Sequence, residues 1–232
     1  MLPDNQINTI NTMNNIKAEF FSDGIIMNYG KKTNTISYTE LLKILSADKG
    51  RFESHLLPLN CLKFYQSRDT ISMALYYPSR KFNATYRDEI FTDCIRPNMM
   101  LFFKAVVLED KSFEIKSVKI FAVKDDFYRV HEKSLLYYLP FPNIYEDGKV
   151  CWGRNAQIKN VKTLIQTTVI LERYFTSVFN DDLWHSGPWD KYKVTSVGEM
   201  FKELQNKDAF PLDVLKNLSK TTTVNDVLMS LL

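Results

Sequence analysis

Glycine is scarce in this chain, with seven residues in 232, and proline adds only eight. That supply leaves no GxxxxGK[ST] loop to cradle a phosphate, and it excludes collagen-like or linker-dominated structure. Cysteine is scarcer still. Cys61, Cys94 and Cys151 are odd in number, far apart and without a CxxC pair, so free thiols are expected rather than a disulfide framework. The three histidines, His55, His131 and His185, show no HxxxH or HExxH spacing, so no metal is expected. No basic run exceeds Lys31-Lys32 or Arg80-Lys81, and 30 basic against 27 acidic side chains give a net charge of only +3. A nucleic-acid footprint is therefore absent from the pattern. The longest apolar stretches, Met99 to Phe103 and Leu135 to Phe141, fall far short of the ~20 residues that cross a bilayer, so no membrane span is expected. Residues Met1 to Gln6 carry neither a positive segment nor an apolar one, and the expected location is the cytoplasm.

What is present is a globular composition rich in rings. Hydrophobic residues make up 45%, charged residues 25%, and 16 Phe, 12 Tyr and 3 Trp suit sheet surfaces packed with aromatics. Residues 1 to 17, rich in Asn and Thr, read as a loose arm. The run AEFFSDGIIMNY predicts a hairpin about Asp23-Gly24, followed by a polar turn over 30–34. Leu41, Leu42, Ile44 and Leu45 then predict a short helix from Thr39 to Gly50. Four β signals follow, CLKFYQ, TISMALYYP, MMLFFKAVVL and SFEIKSVKIFAV, separated by short polar connections. Such connections imply an antiparallel meander. SVKIFAV is almost wholly apolar, which predicts cover on both faces of its strand. The expected cover is a helix over 161–179, capped by Asn160, that packs across the sheet. Ser196 and Glu199 signal another helix, and 211–232 read as one or two short ones. The fold class is α+β, with strands first and helices last. Residues 1–55 form an arm and a small α/β extension, and 56–232 form the main domain.

The segment PFPNIYEDGKVCWG, residues 140 to 153, reads as extended chain around a Glu-Asp-Gly turn. Its Pro142-Asn143, Gly148 and Val150-Cys151 resemble the active-site segment of ubiquitin-conjugating enzymes, in which a His-Pro-Asn triplet precedes Gly-x-Ile-Cys at this spacing. As in that family, the segment follows a four-stranded meander and precedes the helices. Phe141 stands where the triplet has its histidine. Loss of that His with retention of the Cys resembles the prokaryotic branch of the superfamily, specifically the PRTRC system protein B type, over roughly residues 20 to 190. The upstream LLPLNCLKFYQSRDTISMALYYPSR and the downstream LERYFTSVFNDDLWHSG share the likeness. The resemblance implies a ubiquitin-conjugating-enzyme-like fold and a carrier that holds a ubiquitin-like protein as a Cys151 thioester, chemistry that needs no organic cofactor. It also implies a ThiF-like adenylating enzyme that supplies this modifier, and often a JAB-type metallopeptidase beside them.

Such chemistry needs a thiolate that is both nucleophile and leaving group. Cys151 fits, with Lys149 and Arg154 flanking it, since a free thiol near pKa ~8.5 is only slightly ionised at neutral pH. By the resemblance, Asn143 is the amide donor to the oxyanion or the residue that holds the loop. Asp147, Asp181, Asp182 and His185 are candidates for deprotonating the incoming amine. Each has a plainer reading beside it. Cys61 and Cys94 read as core filler. Pro140, Pro142 and Gly148 shape a loop, Asn143 caps its own turn, and Tyr137, Tyr138, Phe141 and Tyr145 form a packing stripe. Trp184 and Trp189 anchor the following loop. The alternatives to the carrier are a catalytically inactive scaffold of the same fold, and a cysteine hydrolase pairing Cys151 with His185 or His131.

Overall fold

The computed structural model describes residues 9–11, 16–20, 24–29, 32–37, 56–67, 69–153, 158, 161–218 and 221–232. Two compact units, Met1–Ser54 and His55–Leu232, divide the chain. The first holds an antiparallel meander of β1 (Thr9–Asn11), β2 (Ile16–Phe20), β3 (Gly24–Tyr29) and β4 (Lys32–Ser37), in that order. The hairpin about Asp23-Gly24 is there, pairing from Ile16↔Tyr29 to Phe20↔Ile25. Two expectations are corrected. The segment read as a loose arm contributes β1 and the start of β2, and Lys32 to Asn34, read as a turn, open β4 against Tyr29, Asn28 and Met27. Backbone pairing into the ladder outweighs the polarity that suggested coil. The helix expected from Thr39 to Gly50 lies outside the described residues.

The second unit is built on a five-stranded antiparallel sheet, β11-β10-β9-β6-β5. Its members are β5 (Cys61–Gln66), β6 (Thr70–Tyr77), β9 (Met99–Val107), β10 (Phe113–Val123) and the short β11 (Leu136–Tyr137). The four runs read as a meander are its four long strands. To residues 80–95 the sequence pattern assigns nothing, and Arg96 reads as part of a turn. The structure puts β7 (Arg80–Tyr86) and β8 (Glu89–Arg96) there. They continue the β6–β9 ribbon in one register: Tyr77 faces Met99, and three residues on Arg80 faces Arg96. The ribbon breaks where Pro78-Ser79 passes Pro97-Asn98, because neither proline has an N–H for the ladder. Asn98 repairs the break. Its Oδ1 accepts from the Ser79 N–H at 2.7 Å, its Nδ2 donates to the Asp125 carbonyl at 3.2 Å, and the Ser79 hydroxyl donates to the Arg96 carbonyl at 2.7 Å. Beyond the bend, β7 and β8 form a second sheet with the parallel β12 (Val178–Phe179).

Side chains alternate across the central strands and are buried on both faces, which is why these strands read as unbroken apolar runs. One face, with Met73, Leu75, Leu101, Phe103, Val118 and Ile120, meets α1 (Val169–Phe175) and α2 (Val197–Leu204). The opposite face, with Ala74, Tyr76, Met100, Phe102, Phe121 and Val123, is covered by α3 (Val224–Met229) through Val224, Val227 and Leu228. The cover expected from 161–179 is therefore supplied by three helices, of which only α1 lies in that stretch. That stretch is itself broken: Val161 bridges to Phe113, Leu164–Thr168 is a 3₁₀ turn, α1 follows, and β12 ends it. Asn160, expected as the cap, lies outside the described residues; Thr163 opens the helical part in a capping box with Gln166, and the Thr167 and Thr168 hydroxyls turn back to the Leu164 and Ile165 carbonyls. Ser196 caps α2 by accepting from the Glu199 N–H. Among the described residues, no helix is long and apolar enough to cross a membrane.

Asn98 joins both edges of the bend to the Asp125 turn. Asn98→Ala is expected to lower unfolding free energy by about 1–2 kcal/mol, measured by urea denaturation, because the Ser79 N–H loses its partner and the Asp125 carbonyl keeps only the Tyr76 hydroxyl.

Candidate active site

Residues 143 to 151 form a tight hairpin. The Gly148 N–H donates to the Tyr145 carbonyl at 2.9 Å, and the Tyr145 N–H donates to the Lys149 carbonyl at 2.9 Å. That pattern is a type I turn followed by one left-handed residue, the place Gly148 takes with φ +80°. A side chain there would also collide with the Phe121 ring, 2.2 Å from an added Cβ. Ile144 pairs with Val150, and the Cys151 N–H donates to the Asn143 carbonyl at 2.8 Å. Alternation then sorts the side chains. Ile144 and Val150 enter the core, while Asn143, Tyr145 and Cys151 share the outer face.

The hairpin is stitched to the outer edge of β10. The Ile120 N–H donates to the Gly148 carbonyl at 2.8 Å, and the Val150 N–H to the Val118 carbonyl at 3.0 Å. Asp147 locks the turn from outside. Its carboxylate accepts from the Lys149 N–H at 3.0 Å and pairs with Lys119 at 3.2 Å. Partial burial by itself raises its pKa, but the Lys149 amide and the Lys119 ammonium outweigh it and hold the carboxyl below its usual range. From beneath, two aromatic donors fix the entering strand: Tyr174 Oη to the Pro142 carbonyl at 2.7 Å, and Trp189 Nε1 to the Pro140 carbonyl at 3.3 Å.

Cys151 is half-buried at a groove of about 550 Å³ lined also by Asn143, Arg173, Thr176, Val178 and Asp182. The Tyr145 hydroxyl donates to its sulfur at 3.7 Å. That bond, and the charge of the sulfur when ionised, raise the Tyr145 pKa. Asn143 holds a left-handed backbone, φ +62°, which asparagine tolerates better than most residues, and its Nδ2 donates to the Val178 carbonyl at 3.3 Å. Asp182 enters the same groove, bonded to Asn180 through both its backbone N–H and its carboxylate.

The remaining sequence candidates lie elsewhere. Asp147 and His185 line an adjoining groove that does not include Cys151, and no hydrogen bond links His185 to the sulfur. Asp181 is a structural anchor. The Tyr86 hydroxyl donates to both of its oxygens and lowers its pKa, and Arg87 pairs with it. His131 accepts the Lys133 N–H through Nδ1. Thus Cys151, Asn143 and Asp182 come together, and the dyads with His185 or His131 do not form. Tyr145, read as packing, is 44% exposed and touches the thiol. The sequence signal for it is parity: positions 143, 145, 149 and 151 share one face of a hairpin turning at Gly148. Among the described residues, no three His, Cys, Asp or Glu side chains cluster as a metal site requires.

A model of prokaryotic E2 family D matches residues 37–218. The chain belongs to that family. No curated protein and no solved structure matches it. Within this prokaryotic E2 fold the other two thiols are of a different kind. Cys94 is buried with its sulfur toward the Phe91 and Phe201 carbonyls, and burial followed by the charge of Asp93 pushes its pKa up to about 12. Burial likewise raises that of Cys61. Phe141, where E2 enzymes carry the triplet's histidine, is 0% exposed. Its ring meets Phe82, Phe175, Phe201 and Phe210 at centroid distances of 5.8 to 6.3 Å. Here the position serves as an aromatic root for the loop.

Restoring the motif's histidine is accordingly expected to harm the protein. Phe141→His exchanges a ring with four aromatic neighbours for an imidazole without a partner there, and should cost about 2–4 kcal/mol in urea denaturation.

Proposed function

We propose that this E2-family protein carries a ubiquitin-like protein as a thioester on Cys151, accepting it from a ThiF-like adenylating enzyme and passing it to an amine on a target. The supporting observation is the hairpin that sets Cys151, Asn143 and Tyr145 on one face, with the half-buried sulfur at the groove. The Cys151 thiolate attacks the adenylated C-terminal carbonyl of the modifier and expels AMP. An amine then attacks the thioester carbonyl, and the thiolate leaves. Each attack places negative charge on the carbonyl oxygen. The Asn143 amide is the nearby neutral donor, with one Nδ2 hydrogen on Val178 and the other free to meet it. Asp182 is the carboxylate in the groove suited to take the amine's proton. ATP is spent by the partner, and the setting is the cytoplasm. Within the family, the PRTRC protein B type is our assignment, with a JAB-type metallopeptidase as a companion.

The engagement of Asn143 by Val178, and the absence of any His bonded to the sulfur among the described residues, favour a second reading: a scaffold of the same fold that binds these partners without charging. One assay separates them. The purified chain, the ThiF-like enzyme, the ubiquitin-like protein and ATP are combined, and intact mass is read without reductant. The carrier gives an adduct of the modifier's mass that thiol reductant removes and Cys151→Ala abolishes. Binding without an adduct establishes the scaffold.

Asn143→Gly keeps the left-handed backbone but removes the amide. It is expected to slow aminolysis of the charged thioester about 10²–10³-fold in single-turnover measurements while leaving the fold intact. Tyr145→Phe removes the donor at the sulfur, and is expected to slow charging by roughly threefold to tenfold.

A further inference from the structure

On the other side of the C-terminal end of α1, the bend in the ribbon carries a cation with no acid. Arg80 and Arg96 face each other across β7 and β8, a like-charge pairing that opposes the ladder. Arg80 is exposed, whereas Arg96 is only 7% exposed. The Arg96 guanidinium lies 5.3 Å from the centroid of the Phe175 ring, and Nη1 meets the Met99 sulfur at 4.0 Å. No carboxylate pairs with it among the described residues, so most of its five donors are unused. Burial first, and then the charge of Arg80, lower its pKa to about 10, which leaves it cationic at neutral pH. The Tyr77 hydroxyl, within electrostatic reach of Arg96, is also buried.

Arg96 faces a groove of about 370 Å³ shared with Arg80 and Lys81, walled by Phe82 and Leu171, with Glu172 the one acid on its rim. Three cations against one anion, with the most buried cation unpaired, form a site that is costly when empty. We propose that this groove binds a carboxylate flanked by an apolar side chain, as an acidic segment of a protein partner presents it. A planar guanidinium fork matches a carboxylate with two parallel hydrogen bonds, and the Phe82–Leu171 wall takes the neighbouring apolar group. The groove's size suits one or two side chains. It meets the Cys151 groove at Thr176, which lines both, so a segment bound here lies against the helix end that borders the thiol. The proposal does not depend on thioester chemistry.

The test is calorimetric titration of the full chain with a capped Leu-Glu-Leu peptide, its Leu-Gln-Leu twin, and inorganic phosphate at matched ionic strength. Binding of the Glu peptide is expected, with the Gln twin at least about tenfold weaker. Arg96→Met should weaken the Glu peptide at least tenfold and leave the melting temperature of the free chain unchanged or raised, since an unpaired buried charge is removed. Exposed Arg80→Gln and Lys81→Gln should each weaken binding several-fold, and they carry the test if Arg96→Met fails to fold. Equal binding of the Gln twin or of phosphate would overturn the proposal. So would undiminished peptide binding in Arg96→Met, or in both exposed variants, which would assign Arg96 to packing on Phe175 alone.

Discussion

The outer edge of β10 organises the second unit. An edge strand presents a row of N–H and C=O groups that must be paired or solvated, and in this chain separate stretches of later sequence take them in turn. β11 pairs at Ala122 and Val123, the Gly148–Val150 arm of the site hairpin at Val118 to Ile120, and Ile158 and Val161 at Ile115 and Phe113. Cys151 sits just past the middle patch. Its position is thus fixed by the backbone hydrogen bonds of the hairpin, its own N–H among them, while its sulfur accepts from the exposed Tyr145 hydroxyl. The Cys151 sulfur is thereby left at the groove, whereas Cys94 directs its sulfur to buried carbonyls.

That edge fixes the hairpin in one direction only, and aromatic packing supplies the other. Phe141 sinks into the ring cluster of Phe82, Phe175, Phe201 and Phe210, and Tyr174 and Trp189 hold the carbonyls on either side of it. Phe175 is the common element. One of its neighbours is the Phe141 ring, and another is the Arg96 guanidinium. Phe175, which packs on the Phe141 root of the hairpin, therefore also lines the basic groove, so the two grooves share a rigid support.

How far the sequence disclosed this follows from which signals are local. The hairpin at Asn143 to Cys151 was legible because turn chemistry is local: Asp147 and Gly148 are what a type I turn closing on a left-handed residue demands. The four long strands were legible for a similar reason, their apolar runs being bounded by polar turns. The β7–β8 extension was not, because its residues are polar and mixed. The prolines that look like terminators at Pro78 and Pro97 pass each other in one continuous register, a relation visible only when both strands are in place. The helix expected over 161–179 failed for a tertiary reason: its first residue bridges to β10 and its last two pair with β7. Tyr145 was misread because exposure at a loop tip and packing in a stripe look alike until the parity of the hairpin is applied.

The exchange of the motif's histidine for phenylalanine bears on what the family's active loop physically requires. If the loop needed an imidazole hydrogen bond to hold its shape, its loss would leave the Asn143–Cys151 turn unsupported. Instead the turn's hydrogen bonds are closed within 143–151 and against β10, and the strand leading into it is fixed by the Tyr174 and Trp189 donors. Position 141 is left with one task, to fill space among four rings, and a phenyl ring does that without the desolvation cost an imidazole would carry there. Position 141 thus supports the loop from the core. With Phe141 in the core, Asn143, Tyr145 and Cys151 share the outer face of the hairpin, so the shape of this loop does not require a histidine at position 141.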